Sequence, residues 1–240
     1  MSFKIGILLP ITSKSRNWKN IKESYLCKYL ISSFLKTYDP EHEYKFYCIF
    51  DQHDPIYGDT IQQNQIKDVN IEFINSHGIE QGHVTAMWNR ACKKAYEEKC
   101  DYFFQCGDDI IFLDKGWVNK SISQLQKNNN IGLTGPLDKL RWESNKGSRI
   151  GGKRFIMTQS FVSKEHYKIF KFYFPEEIKN WYCDNFITNL YFPDLYYQID
   201  SFVTNSGGKP RYKIIGSLNN NCPVKKMCEE LVIKYKTFIF

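Results

Sequence analysis

The chain has 240 residues, with 33 Lys and Arg against 26 Asp and Glu, and a net charge of +7. Its 42% hydrophobic and 25% charged residues are ordinary for a globular protein, and this length buries a core without disulfides or a structural metal. No run approaches the roughly 20 apolar residues that span a bilayer, no block of like charge marks a solvated tail, and the eight cysteines form no CxxC pair, which argues against zinc-ribbon and thioredoxin-type sites.

The segment after Met1 holds Lys4 and Pro10 and does not read as a signal peptide, so the expected setting is reducing and cytoplasmic. The lysines are spread along the chain. A positive balance suits an anionic ligand such as a nucleoside diphosphate, and would equally suit RNA or an acidic membrane surface.

In chain order, Lys4 to Pro10 is a nearly continuous apolar run ended by proline, as in a strand buried on both faces. A polar turn over Thr12 to Asn17 leads into an expected long helix from about Trp18 to Tyr38, striped by Leu26, Tyr29, Leu30 and Phe34 and closed by Asp39-Pro40. Strands are expected at Lys45 to Phe50 and Asn70 to Ile74. Then Val84, Met87, Trp88, Ala91, Cys92 and Ala95 recur at helical spacing. Asp101 to Cys106 reads as a strand running into Gly107-Asp108-Asp109. Strand, helix, strand, helix, strand implies right-handed crossovers, and hence an α/β fold with a mostly parallel, twisted central sheet flanked by helices.

The second half is less regular. Ile131 to Gly135 and Phe155 to Val162 look like strands, and Lys164 to Phe172 and Asn180 to Tyr191 like helices. The polar stretch from Leu137 to Lys153 is a candidate mobile loop; with Tyr57 to Gln65 it is expected to flank a ligand site. The Asn-rich segment at 219–221 and the tail after it are expected at the surface.

Ligands of open parallel sheets bind beyond the carboxyl ends of the strands. That rule selects Pro10-Ile11-Thr12, Asp51 to Asp54 and Gly107 to Asp109. Hard cations such as Mn²⁺ or Mg²⁺ take oxygen ligands, often one or two carboxylates completed by substrate phosphates, so Asp108 and Asp109 after a buried strand are candidates to hold one. The plain alternative is a solvated turn. Asp51 and Asp54 read equally as the turn Asp-Gln-His-Asp-Pro. The planar fork of Arg90, beside Asn89, suits a phosphate or a solvated helix face. Trp88 reads as core, and Trp181 and Tyr182 as core or as a platform for a sugar ring.

Asn89 to Ala95 followed by Asp101 to Trp117 resembles the central segment of GT-A glycosyltransferases, nearest the family-2 type, in which an Asn-bearing helix leads into a strand ending in the DXD motif. The resemblance runs over about residues 3–192. It implies one GT-A (Rossmann-like) domain over 1–240: a nucleotide-sugar-binding half to about 117, an acceptor half to about 200 and a C-terminal extension. It places Asp109 at the metal, Asp108 at the middle of the motif, and Gly107 where the first aspartate normally stands. Pro10, Ile11 and Thr12 match the start of the nucleotide pocket, and Asp51 the aspartate that binds the base, usually uracil. Asp184 matches the catalytic base, with Cys183 in place of the usual acid before it.

The function so implied is metal-dependent transfer of a sugar from a nucleoside-diphosphate donor, a UDP-sugar by preference, to a hydroxyl of a glycan or of a protein- or lipid-linked acceptor, with inversion, Mn²⁺ or Mg²⁺ as cofactor and no nucleic acid. Two other readings stand beside it. A sugar nucleotidyltransferase would need a glycine-rich phosphate loop, which Ile11 to Arg16 lacks. A non-catalytic carbohydrate- or RNA-binding module on a degenerate scaffold is left open by Gly107 and Cys183.

Overall fold

The computed structural model describes residues 1–144, 155–206 and 222–239. Strands β1 (Lys4–Ile11) and β2 (Glu43–Phe50) are joined by a 3₁₀ turn (Ile21–Glu23), a π-helical stretch (Leu26–Ile31) and helix α1 (Ser32–Thr37). Helix α2 (Thr60–Gln63) precedes β3 (Ile71–Asn75), and α3 (Val84–Glu97) leads to β4 (Tyr102–Gln105). There follow β5 (Ile110–Phe112), α4 (Trp117–Gln126), β6 (Leu137–Asp138), α5 (Lys139–Ser144), β7 (Ser160–Ser163), α6 (Lys164–Phe170), α7 (Cys183–Tyr191), β8 (Phe202–Asn205) and α8 (Pro223–Lys236).

The main sheet has the order β3-β2-β1-β4-β7, parallel except where β7 runs against β4. The alternation of side chains along each strand builds two cores. On one face Ile5, Ile7, Leu9, Phe46, Cys48 and Phe104 meet α1 and α4; on the other Leu8, Tyr47, Ile49 and Phe103 meet α3. The apolar stripe of α3 (Val84, Met87, Ala91, Cys92, Ala95) is buried as its spacing requires. A second sheet, β5-β8-β6, sits beside the main one.

Several boundaries differ from the sequence expectation. The long helix expected after β1 begins as a separate 3₁₀ turn and then runs unbroken from the π-helical stretch into α1; an asparagine and a serine bond the backbone at that first turn. Asn20 accepts from the Lys22 amide at 3.0 Å, and Ser24 Oγ donates to the Ile21 carbonyl at 2.6 Å. Residues 131–135 form no strand: Gly132 (φ 146°) and Gly135 (φ 142°) depart from strand geometry, and only isolated bridges form, Leu133 to Tyr196 and Thr134 to Phe161. The strand expected from Phe155 is confined to β7; upstream, the Met157 amide is taken by Thr188 Oγ1 at 2.9 Å rather than by a neighbouring strand.

The stretch 137–153 begins as β6 and α5, not as a loop, while 145–154 and the Asn-rich segment lie outside the described residues. The tail is not a surface segment. It ends in α8, which packs on α7 and buries Cys228, Leu231 and Val232.

Gly6 lets α3 approach the sheet closely. A Cβ there would lie 3.0 Å from Ala95 Cβ and 3.3 Å from the Tyr47 ring. Gly6→Ala should therefore destabilise the chain by about 1–3 kcal/mol in urea unfolding, as over-packing does. Adding Ala95→Gly should restore part of the loss if this contact is the cause.

Candidate active site

The chain builds β1, β2 and β3 outward in one direction and then returns to place β4 on the other side of β1. That reversal opens a crevice at the carboxyl ends of β1 and β4. Pro10 to Ser13 and Cys106 to Asp109 both end there.

The β1 end is held by a carboxylate from the loop after β2. Asp54 is 3% exposed and accepts from the Ser13 amide at 2.6 Å, Ser13 Oγ at 2.6 Å and Thr12 Oγ1 at 3.2 Å. It also accepts from the amides of Ile56 (3.1 Å) and Tyr57 (2.8 Å), closing its own loop. Asp54 is thus an organising residue and not a solvated turn residue. The legible signal was Asp-Pro, a pairing that starts turns with the side chain bonding amides further on.

The fixed loops line an open cleft. Pro10, Ile11, Thr12 and Asp51 line it from the strand ends, and Gly82, Val84 and Met87 from the start of α3. Four residues selected by strand-end reasoning therefore share one cavity. The α3 residues were read only as helix core. His53 is exposed.

Beyond β4, Asp108 and Asp109 part company. Asp108 is fully buried, and its charge, second to desolvation, helps push the Tyr57 phenol and the Cys48 thiol well above their ordinary values. Asp109 is half-buried, and its carbonyl accepts from the Ser206 amide at 2.9 Å. Its Oδ1 lies where a side chain on Gly107 would start, 2.6 Å from an ideal Cβ. A residue with a Cβ at 107 would require the flexible Asp109 carboxylate to turn away from this position.

The two polar residues of α3 are engaged elsewhere. Asn89 donates to the Phe174 carbonyl at 2.8 Å and accepts from the amides of Tyr173 and Phe174, both at 2.9 Å. It fastens α3 to the second half of the chain. The guanidinium of Arg90 donates to the carbonyls of Asn75 (2.8 Å) and His77 (2.9 Å), capping the end of β3. Asn89 thus uses its amide oxygen and one amide hydrogen, and Arg90 one hydrogen of each terminal nitrogen, on backbone groups. Trp88 is core, its indole donating to the Cys106 carbonyl at 3.3 Å.

Asp184 stands in the first turn of α7, after Tyr182 in the left-handed region (φ 74°). Desolvation raises its pKa from the ordinary 3.8 to about 6, against opposing contributions from the Arg141 charge and the Cys183 thiol at 3.5 Å. Desolvation outweighs the favourable field of the helix terminus. Arg141, on α5, carried no signal in the sequence. Tyr182 is buried and Trp181 half-buried against the core.

Among the described residues no three His, Cys, Asp or Glu side chains converge as a metal cage. The donor set does fit a hard cation held by the Asp109 carboxylate and completed by the oxygens of a bound diphosphate.

No family model matches the chain, and no curated protein matches it. Solved structures do. TarS 1–349 of S. aureus superposes with a TM-score of 0.59 at 13% identity, over 85% of this chain and 60% of that one. The same protein in complex with UDP-GlcNAc gives 0.64 at 12% identity, over 97% and 66%. Mannosyltransferase PcManGT from Pyrobaculum calidifontis, in complex with GDP-Man and Mn²⁺, gives 0.59 at 11% identity, over 88% and 59%. The chain has the GT-A glycosyltransferase fold, and it spans about three fifths to two thirds of the length of these structures.

Asp54→Ala would leave five donors without their acceptor. The expected loss is about 3 kcal/mol or more in urea unfolding, accompanied by greater protease access to residues 51–58. A loss within 0.5 kcal/mol would contradict the clamp.

Proposed function

We propose that this chain is a glycosyltransferase that moves a sugar from a nucleoside-diphosphate donor, a UDP-sugar by preference, to an acceptor hydroxyl with inversion. The observation that carries the reading is the convergence of Pro10, Ile11, Thr12 and Asp51 on one cleft at the carboxyl ends of β1 and β2; Asp109 is outside that lining, in the turn between the neighbouring β4 and β5. In this reading Asp51 accepts from the base and the apolar wall of Ile11, Val84 and Met87 packs against the nucleoside. Asp109 would hold Mn²⁺ or Mg²⁺ against the diphosphate. When bound, such an ion offsets charge on the departing phosphate oxygens.

The chain's own part in the reaction falls to Asp184. A carboxylate raised to about 6 is ionised at neutral pH and still basic enough to accept a proton as it comes off an acceptor hydroxyl. The acceptor oxygen forms its bond to the anomeric carbon on the face opposite the diphosphate. The bond from that carbon to the phosphate oxygen breaks, and its electron pair leaves with the nucleoside diphosphate. Arg141 tempers the rise in the Asp184 pKa and keeps the carboxylate ionised. The division of labour in this reading is donor binding by about 1–117, acceptor binding by about 118–200, and support of α7 by α8 in the C-terminal extension. The acceptor is a glycan or a protein- or lipid-linked group.

Two tests follow. UDP with Mn²⁺ should raise the melting temperature, and Asp109→Ala should abolish both that shift and donor-dependent release of nucleoside diphosphate, by 10²-fold or more in rate (roughly, as for loss of one charge-stabilising group). Glycan binding with no metal-dependent nucleotide shift in the unaltered protein would favour a non-catalytic module instead.

Asp184→Asn should cut transfer by roughly 10²–10⁴-fold while leaving the UDP–Mn²⁺ shift unchanged, and transfer by the unaltered protein should rise with pH through about 6. The stability effect has a fixed sign. Because the folded-state pKa lies above 3.8, the folded chain loses stability as pH climbs from 3.8 through about 6. Asp184→Asn should therefore melt at an equal or higher temperature at neutral pH, with the difference vanishing below 3.8.

A further inference from the structure

The positive charge is less evenly placed than the sequence reading held. Residues 14–37 carry Lys14, Arg16, Lys19, Lys22, Lys28 and Lys36 against the single acid Glu23, most of the chain's net +7. Glu23 is already occupied, accepting from the Lys19 amide at 3.0 Å and from Asn20 at 3.4 Å.

This segment forms one wall of an open groove, on the opposite side of β5 from its pairing with β8. Lys28 and Lys36 come from the helical wall and Lys115 from the turn after β5. All three are exposed, and none has an acidic partner among the described residues. No carboxylate lines the groove; the adjacent Asp114 accepts from the Phe202 amide at 2.7 Å. Tyr29 is half-buried in the wall. Two large apolar side chains stand in water at this face: Leu113, 40% exposed and lining the groove, and Leu35, 39% exposed and three residues beyond Ser32, which lines it.

The geometry points to this groove as a docking site for the anionic surface of a phospholipid bilayer, with lipid phosphates among the three lysines and Leu35 and Leu113 entering the interfacial layer. Charge and apolar rim together select this occupant. A soluble phosphate would use the lysines and gain nothing from two exposed leucines, whereas an interfacial protein uses both. The groove adjoins the reaction site, since β5 starts directly after Asp109. Docking there would favour a lipid-linked acceptor among the classes considered above. The binding itself does not depend on the transfer reaction, so its test separates the two.

Flotation of the full chain with vesicles of phosphatidylcholine alone, and of phosphatidylcholine with phosphatidylglycerol, tests the site. Binding is expected to the anionic vesicles only, weakening with salt. Each lysine near an anionic surface contributes roughly fivefold, so Lys28→Ala/Lys36→Ala/Lys115→Ala should lose about a hundredfold in vesicle affinity. Leu35→Ser/Leu113→Ser should also lose affinity, and both variants should keep the unaltered melting temperature. Equal binding to neutral vesicles, no binding to either, or undiminished binding by the triple variant would overturn the proposal. Release from anionic vesicles by glycerol 3-phosphate at constant ionic strength would overturn it in favour of a soluble phosphate ligand.

Discussion

Parallel strands leave loops at their carboxyl ends with unpaired backbone donors, and a ligand cleft exists there only if something fixes those loops. In this chain the fixing group is the carboxylate of Asp54. It gathers two amides of its own loop, together with the Ser13 amide and the Thr12 and Ser13 hydroxyls from the end of β1. Bonds to an ionised acceptor are about twice as strong as neutral ones, and this acceptor is almost wholly shielded from water. The shape of the cleft at Pro10 to Thr12 and the burial of Tyr57, which stacks on Phe73, both follow from that one junction.

Two carboxylates after β4 and one on α7 have different environments, and environment separates their chemistry. Asp108 is closed into the core beside Tyr57 and Cys48. Asp109 is half-exposed over a glycine, and Asp184 is desolvated with a cation and a thiol close by. The two halves are tied at several points: Asn89 clamps residues 173–174, the Ser206 amide meets Asp109, and β8 pairs with β5. On the proposed reading, fastening of this kind keeps Asp184 at a fixed place relative to a donor.

Much of this was legible beforehand where one local force dominates. The stripe from Val84 to Ala95 and the apolar runs at Ile5 and Phe46 have no alternative to burial, and their elements formed as read. Strand-end reasoning placed Pro10, Ile11, Thr12 and Asp51 together because the sheet rule needs only strand direction. It failed where side chains compete for the backbone. Asn20 and Ser24 set a separate 3₁₀ turn before the expected helix, and Gly132 and Gly135 undid a strand. The burial of α8 was legible and passed over: Val224, Met227, Cys228, Leu231, Val232 and Tyr235 recur at helical spacing and pack into the core, where α8 meets α7.

The most direct measurement is a crystal structure of the chain grown with UDP and Mn²⁺. The account predicts uracil between Ile11 and Met87 beside Asp51, with the ion bridging the diphosphate to an Asp109 oxygen. A nucleotide bound elsewhere, or an ion coordinated without Asp109, would contradict it.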